Sequence, residues 1–196
     1  MPYDLLCFAS GNKGKLIEVR GVADQFHQKI AGPLEIADTS SPPDVDETAE
    51  TYIGNARLKA EAYHKWCNLP SFADDAGLEV DALGGKPGLY SARYSGEDAT
   101  DAKNRAKLLR ELEGVSKRTA RFRSVISLYD SGSEVLWVEA TVEGEIATEE
   151  KGAGGFGYDP LFFIPEFGKT LAELKEEGIP VKTHRVLALE QLFSKI

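Results

Sequence analysis

The apolar residues of this chain change their spacing along the sequence, and this change restricts the fold more than any other feature. In Lys15–Phe26 the apolar side chains recur at the three- and four-residue intervals of a helix. In Arg121–Tyr129 and Glu134–Val142 apolar and polar residues alternate, as in strands, and residues 130–133 between them are turn formers. Strands interrupted by helices are therefore predicted early in the chain, and an antiparallel hairpin later.

The remaining elements follow from the same two patterns. Short apolar runs predict strands at Tyr3–Ala9, Leu34–Ala37, Ser71–Ala73, Leu78–Leu83 and Glu145–Thr148. Helical spacing predicts helices over Thr48–Cys67 and Ala99–Leu112, a short helix around Leu171 and a last helix over Thr183–Phe193. The strand that starts at Ser71–Ala73 runs into Asp74–Gly77. Turns or loops are expected at Ser10–Gly14, Asp38–Asp46, Gly84–Gly96, Glu143-Gly144 and Gly152–Pro160. Because no stretch has the composition of a linker, we expect one mixed α/β domain over residues 1–196.

Composition and charge argue against several classes of protein. The residues are 42% hydrophobic, enough for a folded core, but no apolar run reaches the roughly 18 residues of a membrane span. No basic region precedes the first short apolar stretch, so a signal peptide is not expected. The net charge of −9 argues against a protein that wraps nucleic acid. Cys7 and Cys67 lack the pattern of a zinc site or a disulfide framework, which predicts buried thiols in a cytoplasmic protein.

The segment Ser10-Gly11-Asn12-Lys13-Gly14-Lys15 joins the first predicted strand to the first helix. A turn at a helix N-terminus offers backbone N–H groups and the positive end of the helix dipole, and the lysines add full charge. Even an acidic protein can bind a small polyanion through such a local cradle. The GxxxxGK[ST] pattern is absent, so an ordinary P-loop enzyme is disfavoured. The plain alternative is a capped helix with exposed lysines.

Two acidic groups suggest a cation site. Asp74 and Asp75 are adjacent at the predicted end of a strand, where α/β proteins often assemble ligands. Adjacent carboxylates there are costly unless a cation or hydrogen-bond donors satisfy them. Together with Glu47 they could form an all-oxygen Mg²⁺ site, near Asn55 and Lys59 on one helix face. The alternatives are a simple turn at Asp74-Asp75 and a Glu47 that only complements a helix dipole.

The loop 154–160 and the start of the last helix suggest a site for a flat ligand. Glycines around Phe156 allow close backbone approach, the ring offers a stacking face, and Asp159 could accept hydrogen bonds from the edge of a base. His184 and Arg185 could bind base carbonyls or phosphates. The alternatives are a tight loop with aromatic anchors and a solvated helix face.

The joint order of these segments resembles the Ham1/RdgB-type inosine (non-standard purine) nucleoside triphosphate pyrophosphatases. The resemblance covers the chain from residue 5 to about residue 190. The matching segments are Phe8–Asn12 with Lys15 and Glu18, Glu47-Thr48 with Asn55-Ala56 and Lys59-Ala60, Ala73–Leu78, Pro87–Tyr94, and Gly155–Pro160 followed by His184-Arg185.

The resemblance implies a fold and an activity. The fold is an elongated central mixed β-sheet flanked by helices, in two lobes with the active-site cleft between them. The activity is hydrolysis of ITP, dITP and XTP at the α–β phosphate bond to the monophosphate and pyrophosphate, with Mg²⁺ as the cofactor. It further implies a cytoplasmic homodimer that acts on free purine nucleotides, with neither nucleic acid nor membrane as a partner.

The resemblance also implies roles for single residues. The triphosphate would be bound by the segment Ser10, Gly11, Asn12, Lys13, Gly14 and Lys15, with Lys59 neutralising phosphate charge. Glu47 and Asp75 would hold the metal, Asp75 would also be the base toward water, and Asp74 would support the metal or a second ion. The base pocket would comprise Phe156, Gly157, Tyr158 and Asp159, with His184 and Arg185 at the 6-oxo edge. Pro87–Tyr94 is expected to be structural.

This sequence departs from the family pattern at two positions. Ala76 stands where the family usually has a substrate-contacting serine, so only one weak contact is lost. Ile179 stands where the family usually has a lysine, and Lys182 or Lys175 could reach the same phosphate or base as that lysine. Two other functions stay open: a Maf-like pyrophosphatase acting on pyrimidine or modified nucleotides, and a nucleotide-binding protein without activity.

Overall fold

In the computed structural model, which describes residues 3–36 and 41–196, the strands form one seven-stranded sheet. The strands are β1 (Leu6–Phe8), β2 (Ile30–Ala31), β3 (Ser71–Val80), β4 (Thr119–Asp130), β5 (Ser133–Ile146), β6 (Phe162–Ile164) and β7 (Lys169–Thr170). Their order across the sheet is β2–β1–β3–β4–β5–β6–β7. β1 is parallel to β2 and β3, whereas β6 is antiparallel to β5 and β7, so the sheet is mixed.

Helices flank this sheet, which confirms the predicted mixed α/β class. The α-helices are α1 (Lys13–Ala23), α2 (Tyr52–Cys67), α3 (Asp101–Glu111), α4 (Leu171–Glu176) and α5 (His184–Phe193). No helix in the described part of the chain is long and apolar enough to cross a membrane.

The chain divides into two compact units, each built from separate stretches. Unit one comprises Met1–Asp75, Ser124–Ala140 and His184–Ile196. Unit two comprises Ala76–Arg123 and Thr141–Thr183. Three strands, β3, β4 and β5, contain residues of both units. The single domain over residues 1–196 stays a prediction.

Unit one has a core on both faces of its part of the sheet. Leu6 and Phe8 pack with residues of α1 and α5, while Cys7, between them, packs with Ala60 and Tyr63 of α2. Successive side chains of a strand point to opposite faces, so β1 is buried on both sides, as is usual for a parallel strand between helices. The Cys7 thiol is buried, that of Cys67 is partly buried, and both are free.

Unit two has its own core, built around α3, α4 and its parts of the sheet. Its fully buried large side chains include Leu78, Leu108, Leu112, Ile146, Leu161, Phe162, Leu171 and Leu174. Ile179 packs against this cluster as a partly buried side chain. The predicted hairpin is present: β4 and β5 are joined by Ser131-Gly132, whose φ angles of 51° and 81° fit a two-residue hairpin turn.

The strand predicted at Leu34–Ala37 is wrong for its described residues. Pro33–Glu35 form a 3-10 turn instead, and the neighbouring strand is the two-residue β2. Pro33 has no N–H to give to a sheet, and Glu35 accepts a hydrogen bond from the Gly32 N–H at 2.8 Å, which closes the turn. Residues 37–40, which include the end of this predicted strand and the start of the predicted loop 38–46, lie outside the described residues.

A predicted strand end and a predicted turn are also wrong. Asp74–Gly77 lie inside β3, so the acidic pair occupies the middle of a ten-residue strand and not its end, and no separate strand exists at 78–83. Glu143-Gly144 lie inside β5, and no new strand begins at Glu145. A Cβ on Gly144 would lie 2.6 Å from the Phe163 carbonyl oxygen, so this glycine serves the close approach of β6 and does not turn the chain.

Candidate active site

The start of α2 positions two polar side chains of unit one. The Thr51 hydroxyl caps the helix by accepting a hydrogen bond from the Gly54 N–H at 3.1 Å. One turn later, the Asn55 side chain accepts from the Ala49 N–H at 2.9 Å and donates to Asp75 Oδ2 at 3.4 Å. Lys59 follows on the same face of the helix. The helix begins at Tyr52 and not at the predicted Thr48, so Glu47 lies outside it.

Lys59 joins the two carboxylates that were predicted to hold the metal. Its Nζ atom lies 2.8 Å from Glu47 Oε1 and 3.1 Å from Asp75 Oδ1, and it also donates to the Asp74 carbonyl at 3.0 Å. Burial raises the pKa of Asp75; the Lys59 charge opposes this rise and the Glu47 carboxylate adds to it. Asp75 is 7% exposed, so its carboxyl group is desolvated but still next to a cation.

The side chain of Asp74 has different partners. Its Oδ2 atom lies 2.8 Å from Arg185 Nε and 3.0 Å from Lys15 Nζ, while its Oδ1 accepts a hydrogen bond from the Ser124 hydroxyl. Arg185 also pairs with Glu18. The result is a buried network of two acidic and two basic side chains that links β3 to α1 and α5.

This network decides the ionisation of its members. Burial acts to raise the pKa of Asp74, but the charges of Arg185 and Lys15 and the Ser124 hydrogen bond hold it well below its ordinary value. Burial acts to lower the pKa of Arg185, and its two carboxylate partners raise it above its ordinary value. Asp74 and Arg185 are each 3% exposed, so this is an ion pair inside the protein.

The predicted phosphate-binding segment lies at the start of α1. The helix begins at Lys13, two residues before the predicted start, and Asn12 caps it by accepting a hydrogen bond from the Lys15 N–H at 3.1 Å. The Ser10 hydroxyl accepts one from the Asn12 N–H at 3.2 Å. Gly11, Asn12 and Lys13 are exposed, whereas Lys15 turns inward to Asp74. The segment therefore presents a helix N-terminus with one lysine outside and one inside.

Two of the three predicted metal ligands converge. Glu47 and Asp75 meet at the Lys59 ammonium, whereas the Asp74 carboxylate faces Arg185, Lys15 and Ser124. Across residues 3–36 and 41–196 no group of three or more His, Cys, Asp or Glu side chains is arranged to hold a metal. Carboxylate oxygens are the ligands of hard divalent cations, and this pair already surrounds one positive charge. The donor set of Glu47 and Asp75 therefore fits such an ion.

The predicted base-binding loop belongs to unit two. Asp159 is 5% exposed, and its Oδ2 accepts hydrogen bonds from the Phe156 N–H at 3.0 Å and from Lys175 Nζ at 2.9 Å. The Lys175 ammonium also lies 5.4 Å from the centre of the Phe156 ring. Asp159, which was predicted to accept hydrogen bonds from a base, therefore binds Lys175 of α4. Lys175 is one of the two lysines that the sequence offered in place of the family lysine.

Helix α3 holds the same loop from another side. The Gly157 N–H donates to Asp101 at 2.8 Å, and the Gly157 carbonyl accepts from Arg105 at 2.8 Å. A cavity of about 650 Å³ borders the loop and is lined by Arg105, Phe156 and neighbouring residues. The Tyr158 hydroxyl donates to the Ser91 carbonyl at 2.8 Å, which ties the predicted base loop to the segment Pro87–Tyr94.

The other predicted positions are placed as follows. His184 is the buried first residue of α5, and Ala76 lies inside β3, partly exposed. Lys182 is exposed. Sequence reasoning missed Ser124, Asp101 and Arg105. For Ser124 a signal was available, because the alternation of β4 puts this polar residue on the same face as buried Phe122 and Ile126.

Comparison with known proteins shows which family this chain belongs to. The profile of the Ham1 family matches residues 6–195. The dITP/XTP pyrophosphatase of Geobacillus kaustophilus is 48% identical over 189 residues, which cover 95% of this chain and 91% of that protein. The dITP/XTP pyrophosphatase of Geobacter sulfurreducens is 46% identical over 189 residues, or 95% of this chain and 94% of that one.

Solved structures agree with this result. The Ham1 protein of Staphylococcus aureus superposes with a TM-score of 0.83 at 40% identity, covering 97% of both chains. A HAM1 protein from Coxiella burnetii gives a TM-score of 0.84 at 38% identity, covering 100% of this chain and 98% of that one. The resemblance inferred from the motifs is therefore confirmed, and this chain belongs to the Ham1 family.

Proposed function

We propose that this protein is a nucleoside triphosphate pyrophosphatase that hydrolyses dITP, ITP and XTP to the monophosphate and pyrophosphate. Such an enzyme is a hydrolase of acid anhydrides that removes non-standard purines from the nucleotide pool. Membership of the Ham1 family and the names of the relatives support the reaction. The observation that carries the proposal is the meeting of Glu47 and Asp75 at Lys59 in a partly buried place.

In this proposal unit one binds the triphosphate. The backbone N–H groups of residues 10–14 and the positive end of α1 attract phosphate oxygens. Lys15 and Lys59 supply full positive charge beside them, and they stand on opposite sides of the acidic pair in β3. The Asp75 carboxylate accepts the proton of the attacking water, a role that suits a carboxyl group whose pKa burial has raised.

Mg²⁺ is the proposed cofactor, held by Glu47 and Asp75. When bound, the ion neutralises charge that develops on the phosphate oxygens. Lys59 already lies between these carboxylates and keeps both oriented in the absence of substrate. The sequence-based prediction that Asp74 adds a further metal contact stays a prediction.

For base recognition we propose the loop 154–160 together with His184 and Arg185. The Phe156 ring and the backbone of Gly157 form the wall on which a purine rests, and the loop keeps its shape through Asp159 and Tyr158. His184 and Arg185 stay proposed for the 6-oxo edge. A pocket whose donors face a 6-oxo group disfavours adenine, whose amino group would face another donor.

The test is pyrophosphate release from ITP, XTP, dITP, GTP, ATP, dTTP and UTP, each with Mg²⁺ and with EDTA. Rapid Mg²⁺-dependent release from ITP, dITP and XTP, with ATP left nearly intact, is the expected result. Preference for dTTP or UTP would instead support the Maf-like alternative. Release from none of them, with nucleotide binding retained in equilibrium dialysis, would support a binding protein without activity.

We further propose that the protein is a cytoplasmic homodimer. Val135 and Trp137 are 47% and 49% exposed and lie two residues apart on the same face of β5, so they form a small exposed apolar patch. Their burial against a second copy would remove this apolar surface from water. Light scattering coupled to size exclusion is expected to give twice the mass of one chain, and the Trp137→Glu variant is expected to give the mass of a monomer.

A further inference from the structure

The ammonium group of Lys59 lies between the carboxylates of Glu47 and Asp75. It is 2.8 Å from Glu47 Oε1, 3.1 Å from Asp75 Oδ1 and 3.0 Å from the Asp74 carbonyl oxygen. An ammonium carries three N–H donors, so each donor already has an acceptor in this arrangement. The Lys59 side chain is 13% exposed. The lysine is therefore a largely buried counter-ion of both carboxylates.

The two carboxylates are also held in place independently of this lysine. Asn55 is 1% exposed and donates a hydrogen bond to Asp75 Oδ2 at 3.4 Å. Its side-chain oxygen accepts from the Ala49 N–H at 2.9 Å, two residues after Glu47. Asn55 therefore connects Asp75 to the segment that carries Glu47. We expect both carboxylates to stay close together when Lys59 is replaced.

The ammonium competes with a divalent cation for the same oxygens. Mg²⁺ binds oxygen ligands at about 2.1 Å, and an ammonium in contact with the same carboxylates repels its charge. A triphosphate changes this balance, because its oxygens accept charge-assisted hydrogen bonds from an ammonium. Lys59 can then exchange its carboxylate partners for phosphate oxygens, which leaves the carboxylates available to the ion.

The geometry points to Lys59 as a resident counter-ion that couples the binding of metal and nucleotide: Glu47 and Asp75 bind a divalent cation tightly only when a triphosphate draws the ammonium away. This inference rests on the proposed function for the identity of the ligands and adds the dependence of one on the other. By linkage, the nucleotide raises the affinity for the metal by the same factor as the metal raises the affinity for the nucleotide. The protein without nucleotide should therefore bind the metal weakly.

The test measures Mn²⁺ binding to the nucleotide-free protein by electron paramagnetic resonance, since Mn²⁺ shares the oxygen preference of Mg²⁺. Lys59→Met keeps most of the apolar stem and removes the charge, so we expect the Kd for Mn²⁺ to fall at least about tenfold. Equilibrium dialysis with ITP in EDTA should show the opposite change, a loss of affinity of about tenfold or more, as for a lost hydrogen bond to a charged group. A lysine with a purely structural role would instead lower both affinities when replaced.

Three further variants serve as controls. Lys65→Met removes an exposed lysine of the same helix, paired with Glu61, and should leave both affinities unchanged. The double variant Lys59→Met/Asp75→Asn should lose the gain in Mn²⁺ affinity, because it lacks one of the two carboxylates. Lys59→Gln still donates hydrogen bonds but carries no charge, so both affinities should change in the same directions as in Lys59→Met. Thermal unfolding checks that each variant is folded, and Lys59→Gln provides the test if Lys59→Met is not.

The outcomes are distinct. Tighter Mn²⁺ binding together with weaker ITP binding, absent from Lys65→Met, would support the inference. Unchanged or weaker Mn²⁺ binding in a folded Lys59 variant, or a gain that survives Asp75→Asn, would overturn it and leave the proposed function intact. A wild-type enzyme that does not cleave ITP would overturn the proposed function, whereas the Mn²⁺ titration would still show whether Lys59 excludes the ion from the nucleotide-free protein.

Discussion

Among single residues, Asp75 has the surroundings that a reacting carboxylate needs. It is almost fully buried, it is next to the Lys59 ammonium, and Asn55 donates a hydrogen bond to its second oxygen. Asparagine keeps the shape of this side chain and removes its charge and basicity. We therefore expect Asp75→Asn to lower kcat for ITP hydrolysis by at least about 100-fold, with the fold retained.

Pyrophosphate release under saturating ITP and Mg²⁺ measures this effect. The matched control is Asp81→Asn, a carboxylate just after β3 that hydrogen-bonds Thr119 and Arg121. The control variant should keep wild-type activity. An Asp75→Asn enzyme within tenfold of wild type would exclude the role as base.

Asp74 is expected to make a large contribution to the free energy of unfolding. Its removal takes away the carboxylate that pairs with Lys15 and one of the two that pair with Arg185, and breaking a buried ion pair in this way costs about 3–5 kcal/mol. Urea unfolding of Asp74→Ala should show that loss in the free energy of unfolding. For comparison, Glu61→Ala breaks an exposed pair with Lys65 in α2 and should cost less than about 1 kcal/mol. Equal losses for the two variants would contradict the assignment of Asp74 to a buried network.

Several residues singled out in the sequence lie together in the structure, but some of their partners were predicted wrongly. Glu47 and Lys59 were expected to share one helix face, and they do pair, although Glu47 lies before the helix. Asp74 was grouped with the metal ligands because adjacent carboxylates look alike in a sequence. In the structure the two side chains point to opposite faces of β3, one toward Arg185 and one toward Lys59. Recognising this requires knowing that β3 continues through them.

At the scale of elements, two helical glycines should respond to alanine with opposite sign. Gly21 of α1 has open space where a Cβ would be, so Gly21→Ala should stabilise the protein by up to about 1 kcal/mol through helix propensity. In α2, a Cβ on Gly54 would lie 2.5 Å from the Ala49 Cβ and 3.0 Å from the capping Thr51 hydroxyl. Gly54→Ala should therefore destabilise by about 1–3 kcal/mol. Thermal unfolding measures both effects. Stabilisation by Gly54→Ala would contradict the prediction, because it would show that Ala49 moves away from the new methyl group without loss of stability.

Elements with regular periodicity were predictable, and those decided by distant contacts were not. The helices α2, α3 and α5 and the β4–β5 hairpin follow from local patterns and are present. Strand β3 runs through two aspartates and a glycine, which are poor strand formers, because Lys15, Lys59 and Arg185 from other elements satisfy the charges. The two-residue strand β7 and the three-residue β6 are too short to leave a periodic signal.

At the scale of the whole molecule, the shared strands predict a single unfolding transition. β3, β4 and β5 each run without a break through residues of unit one and unit two. Both tryptophans, Trp66 and Trp137, belong to unit one, so their fluorescence reports that unit, whereas far-ultraviolet circular dichroism reports all helices and strands. The two signals should give the same melting temperature. A fluorescence transition well separated from that of circular dichroism would show that the units unfold independently.

The ion pair between Asp74 and Arg185 also imposes an order on biosynthesis. Its two members are 111 residues apart, and the helix that carries Arg185 also supplies Ala188, Leu189 and Leu192 to the core around β1. All of unit two, residues 76–123 and 141–183, is translated before that helix. A nascent chain can therefore assemble unit two while unit one still lacks part of its core and one of the two counter-charges of Asp74. Strand β1 therefore acquires its complete packing only after α5, the last helix, has emerged from the ribosome.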